Sequence, residues 1–87
     1  MIDDDEPITI HSPLRQRIER DGTYIDVEIY RGEDEEGWIL EVVDEEDAST
    51  VYHERFPTDQ AALDEVLRVI AAEGIRAFLE DNAGSIN

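Results

Sequence analysis

His11 and His53 are the only imidazoles in this 87-residue chain, so any histidine acid–base chemistry must use one of them. His53 is followed by Glu54, a pairing that would suit proton transfer if the two side chains met. In an extended segment adjacent side chains point to opposite faces, so the two are not expected to cooperate. Neither histidine has a second one at metal-ligand spacing. Residues 33–36 (Glu-Asp-Glu-Glu) and 44–47 (Asp-Glu-Glu-Asp) hold enough carboxylates for a hard divalent cation. Both lack the alternate-residue aspartates, the glycine and the distal Glu of a calcium loop, and both read as solvated turns. There is no Cys, which removes thiolate nucleophiles, thiolate metal sites and disulfides. Ser12, Ser49, Ser85, Thr9, Thr23, Thr50 and Thr58 lie in no nucleophile elbow and no glycine-rich phosphate loop. The expectation is a protein with no catalytic residue, no metal and no cofactor, hence not an enzyme.

Charge narrows the partners. Twenty-four acidic residues oppose seven basic ones, a formal net charge of −17. Phosphate contacts need a basic footprint, so direct nucleic-acid binding is not expected, and anionic membranes are disfavoured for the same reason. A protein partner with a basic surface fits better. All seven basic residues are Arg; salt adaptation and GC-rich coding both account for that. The length allows one domain with a small core. No apolar run approaches a membrane span, and residues 1–10 lack the basic and apolar regions of a signal peptide. These features lead to the expectation of a soluble cytoplasmic protein.

The elements that must position any functional side chain follow from periodicity. Residues 58–74 form the one long segment of helical period, with Leu63, Val66, Leu67, Ile70 and Ala71 on one stripe. Thr58 suits the N-cap and Gly74 the C′ position, with Ile70 and Ile75 as the apolar pair of a Schellman stop. A further helical turn is expected over residues 75–80, with Phe78 and Leu79 turned to the core. Asp21-Gly22 is a type I′ turn signal between two alternating runs. It sets Arg20 opposite Thr23, Ile18 opposite Ile25, Gln16 opposite Val27 and Leu14 opposite Ile29. The other face then pairs Glu19 with Tyr24, Arg17 with Asp26 and Arg15 with Glu28. A third strand over residues 38–44 brings Leu40 to Ile29 and Val42 to Val27, and places Trp38 on the same face. The fourth, residues 49–56, has two possible phases. One turns Val51 and His53 inward; the other, favoured here for its apolar area, turns Tyr52 and Phe56 inward.

The expected fold is therefore α+β, a two-layer ββββα domain in which the helix covers one face of an antiparallel four-stranded meander. The domain runs over residues 13–80. Residues 1–12, with the acid run Asp3 to Glu6, read as a frayed tail in which residues 8–10 can make a short edge strand. Residues 81–87 read as a disordered tail. In this register Tyr24, Tyr30, Ile39 and Val43 all point away from the helix. They form a small apolar patch set in charge, with Arg15, Arg17 and Arg31 nearby, suited to docking a partner or to a weak homodimer.

Residues 37–43 (Gly-Trp-Ile-Leu-Glu-Val-Val), 49–52 (Ser-Thr-Val-Tyr), 56–63 (Phe-Pro-Thr-Asp-Gln-Ala-Ala-Leu) and 73–75 (Glu-Gly-Ile) resemble the pattern of small bacterial proteins of unknown function. The resemblance covers about half the chain and implies one compact domain of bacterial type. It carries no catalytic motif. On these grounds the function expected is a non-catalytic interaction or structural module, monomeric or weakly dimeric. The alternative is an acidic mimic of nucleic acid that blocks a DNA- or RNA-binding protein, and a small enzyme comes third.

Overall fold

The computed structural model describes residues 8–79. Five strands and one helix follow in chain order: β1 (Thr9–His11), β2 (Gln16–Arg20), β3 (Thr23–Gly32), β4 (Ile39–Asp44), β5 (Ser49–Val51) and α1 (Asp59–Glu73). The strands form one antiparallel sheet, and α1 packs across β3 and β4. The expected meander is present as β2 to β5, and β1 adds a fifth strand to it. The domain boundary expected at residue 13 therefore falls inside the sheet. Of the tails expected over residues 1–12 and 81–87, residues 1–7 and 81–87 lie outside the described residues.

β3 organises the sheet. Its strict alternation buries Thr23, Ile25, Val27 and Ile29 on the helix side and leaves Tyr24, Asp26, Glu28 and Tyr30 on the other. The hairpin with β2 has the expected register from Gln16↔Val27 to Arg20↔Thr23. Asp21 and Gly22 both adopt positive φ (53° and 80°), as a type I′ turn requires. The pairing with β4 is also as expected, with Ile29↔Leu40, Val27↔Val42 and Tyr30↔Ile39.

Leu14 does not face Ile29. The backbone N–H of Ser12 donates to the Ile29 carbonyl at 2.9 Å, and Arg15 N–H closes a turn onto the Ser12 carbonyl. Pro13, which has no N–H to give to a ladder, sits in that turn. Five chain steps from His11 to Gln16 thus face three steps from Tyr30 to Val27, an insertion of two residues. An even insertion preserves the alternation, so Ile18 and Ser12 stay on the buried side. The opposite edge has the same device. Tyr52 N–H donates to Leu40 O, while the next bridge joins Trp38 to Phe56, so residues 53–55 bulge out of the ladder. The fourth strand accordingly ends at Val51, short of the expected residue 56. Its phase is the favoured one, with Phe56 buried and Tyr52 packed against the core. The interruption at residues 53–55 confines the regular part of that edge to β5.

The helix is capped at its start as expected. The Thr58 hydroxyl accepts from Ala61 N–H at 3.0 Å. Its buried stripe is displaced, however. Ala62, Leu63 and Val66 are buried, with Ala61, Val69 and Ile70 partly so, whereas Leu67 is 40% exposed and Ala71 is exposed. Hydrophobicity favours Leu67, but packing favours Ala62, whose small side chain lets the helix lie close on β3 and β4. At the far end Gly74 N–H donates to Ile70 O at 2.8 Å, a single 5→1 bond with no Schellman pair. Gly74 adopts φ 89°, ψ 158°, a region essentially reserved for glycine. The chain then turns so that Ile75 and Phe78 enter the core, with a helical turn over residues 76–79.

Candidate functional site: the open face of the sheet

Among the described residues α1 is the only helix longer than one turn, and it lies on the Ile25 side of the sheet. The opposite face has no covering layer among them. Tyr24 and Tyr30 from β3 and Ile39 and Val43 from β4 share that face, and all four are half-buried. Their positions follow directly from strand alternation and from the β3–β4 register. Val51 of β5, paired with Glu41, belongs to the same face and is 50% exposed. Sequence reasoning misses Val51, because the phase that turns Tyr52 and Phe56 inward is favoured for the area it buries, a criterion silent about the outward residues of that strand.

The polar side chains on this face are engaged with one another. Arg17 grips Asp26 with two hydrogen bonds, Nε to Oδ1 at 2.7 Å and Nη2 to Oδ2 at 3.2 Å. The same guanidinium lies 4.0 Å from the centre of the Tyr24 ring, a cation–π stack. Arg15 reaches Glu28 at 3.8 Å. The Tyr30 hydroxyl donates to Glu41 Oε1 at 3.0 Å, and the His11 ring lies 6.0 Å from the Tyr30 ring. Partial burial, reinforced by the bond to Glu41, raises the Tyr30 phenol above its ordinary range. A cleft of about 350 Å³ opens beside Tyr30 and Ile39, between Thr9 and the β3–β4 loop. The arrangement is an amphipathic contact surface, in which aromatic and aliphatic residues stand between polar groups already paired within the face.

The other residues weighed for chemistry have structural work. Ser12 is only 1% exposed; its hydroxyl donates to Asp59 Oδ2 at 2.8 Å and accepts from Leu14 N–H at 2.9 Å. It thereby ties the kink between β1 and β2 to the first turn of α1. The second acidic loop folds around its own carboxylate, with Asp44 Oδ1 accepting from the N–H groups of Glu46 and Ala48. In the first acidic loop Glu35 pairs with Arg55 at 3.0 Å, and Arg31 binds the loop carbonyl of Glu35. Among the described residues no group of three or more His, Cys, Asp or Glu is placed to hold a metal ion. His53 and Glu54 lie in the irregular segment after β5, so the strand argument for separating them does not apply. No hydrogen bond joins them. Among the described residues no helix is long and apolar enough to cross a membrane.

Comparison with protein-family models, with curated proteins and with solved structures finds no match for this chain.

Proposed function

We propose that this chain is a non-catalytic interaction module of the cytoplasm that docks a protein partner on the open face of its sheet. The observation that carries the reading is the gathering of Tyr24, Tyr30, Ile39 and Val43 on one uncovered face. Their charged neighbours are already paired within that face. Asp26, Glu28 and Glu41 are held by Arg17, Arg15 and Tyr30, which leaves the apolar and aromatic atoms to make the contact. The net charge of −17 selects a partner with a basic rim and speeds their encounter. The same charge makes a second copy of the chain a poor occupant. The module brings no nucleophile, metal or cofactor to its partner.

The test compares wild type with an Ile39→Asp, Tyr30→Ser variant as affinity baits at about 0.15 M salt, where the Debye length is near 8 Å. Any protein retained by wild type is then purified and titrated against both. The reading expects at least one direct partner whose affinity falls about a hundredfold or more in the variant, with folding unchanged by circular dichroism. A partner that binds both alike, and is released merely by raising salt, would instead support an acidic mimic of nucleic acid.

A further inference from the structure

Because α1 crosses β3 and β4, it leaves the helix-side surface of β5 open. A cleft of about 450 Å³ lies there, between Thr50 to His53 of the sheet edge, Val69 and Glu73 of α1, and Phe78 beyond it. Tyr52 N–H binds Leu40 O and Asp44 N–H binds Ala48 O, so residues 48, 50 and 52 form the hydrogen-bonded pairs with β4. By antiparallel alternation the N–H and C=O of Ser49 and Val51 point away from β4, out of the sheet. No element among the described residues pairs with that edge.

We infer that this edge and cleft form a binding site for an extended, basic peptide segment of a partner protein, which adds to the sheet as a strand beside β5. The main-chain groups of Ser49 and Val51 supply the pairing, as in other sites where a peptide extends a sheet. Alternate peptide side chains then point into the cleft, where Val69, Tyr52 and Phe78 offer apolar surface. Glu73 sets the charge: its carboxylate makes no hydrogen bond or ion pair among the described residues and interacts with Arg68 only at longer range, whereas Glu65, two turns earlier on α1, is held by Arg68 at 2.8 Å. A Lys or Arg of the incoming strand answers Glu73, and an acidic strand is repelled. The cleft lies across the sheet from the open face; of the residues argued for each, the two share Val51, whose side chain stands on the open face while its main chain forms the edge.

The probe is a short acetylated peptide in which Val alternates with Lys and Arg. It is titrated into the full chain by calorimetry and by amide chemical shifts at about 0.15 M salt. The expected result is saturable binding with shifts centred on Ser49, Val51 and Glu73, weakened about tenfold or more by Glu73→Arg and by Val51→Pro. Val51→Pro removes an outward N–H and no bond to β4; Glu73→Arg sits on an exposed helix position, so the pair separates lost pairing from lost folding. A peptide N-methylated at alternate amides should not bind, and Ile39→Asp should bind like wild type. The inference is overturned if the peptide fails to bind. It is equally overturned if the N-methylated peptide binds as well, which would show bulk charge attraction, or if Ile39→Asp abolishes binding, which would move the site to the open face.

Discussion

Ser12 is a small residue to which the structure assigns a large task. Its buried hydroxyl donates to Asp59 and accepts from Leu14 N–H, so Ser12→Ala removes two hydrogen bonds and strands a partly buried amide. The expected cost is about 1–3 kcal/mol, read as a lower urea midpoint with unchanged slope. An Asp59→Asn replacement keeps an acceptor at that point and should cost less. Tyr30 offers a pH reading of the open face. Its folded pKa is raised, chiefly by burial and then by Glu41, so its contribution to stability is present below the unfolded tyrosine value of about 10 and is lost as pH rises through the folded one. In absorbance titrations near 295 nm, the component that Tyr30→Phe removes should titrate above that ordinary value, and Glu41→Gln should move it downward. A component of ordinary pKa would show that Tyr30 is more open than described. Residue roles of this kind are hard to see in a sequence. Ser12 lies 47 positions from Asp59, and no local pattern announces a bond between a strand kink and a helix cap. Tyr30 and Ile39 were legible, because alternation on two strands joined by a short loop places both on one face.

At the scale of elements, α1 shows where periodicity stops. Leu67 belongs to the stripe expected from the sequence, and a charge there would then unfold the domain. The structure leaves Leu67 40% exposed and buries Val66 completely. Leu67→Asp should therefore remain folded, within about 1 kcal/mol of wild type, while Val66→Asp should abolish the cooperative transition, because it puts an unpaired charge in the core. The two outcomes exchanged would restore the original stripe. Ala62 is why the stripe turns. A reading by hydrophobicity ranks Leu above Ala, yet tight packing on the sheet needs the small residue inside. Gly74 marks the other end, and Gly74→Ala should cost on the order of 1–3 kcal/mol for its backbone angles alone. The hairpin was legible from Gln16↔Val27 to the turn, though not at Leu14, since Asp21-Gly22 fixes the turn and only one register aligns Ile18 with Ile25 and Arg17 with Asp26. The two edge insertions were not. A two-residue insertion leaves the alternation intact, so the pattern around Pro13 and around residues 53–55 looks continuous.

For the whole molecule, an acidic surface on a small core means that self-repulsion opposes folding. The urea midpoint should rise as salt increases from about 0.01 M to about 0.15 M, because the Debye length falls from about 30 Å to 8 Å. A falling midpoint would mean that exposed pairs such as Glu65–Arg68 outweigh the repulsion, contrary to their usual small worth. The placement of α1 gives the sheet two unequal sides. The helix side is closed by the core, except beside β5; nothing among the described residues covers the other, which carries aromatic residues among paired charges. The docking proposal rests on that asymmetry, and the Ile39→Asp, Tyr30→Ser variant probes it at one stroke. The decisive measurement is its urea midpoint together with its affinity for a purified partner of the wild-type chain. The account expects a cooperative transition retained at a lower midpoint, since two half-buried side chains but no core residue are replaced, and affinity reduced about a hundredfold or more. A variant that binds as tightly as wild type, or that no longer folds, would contradict it.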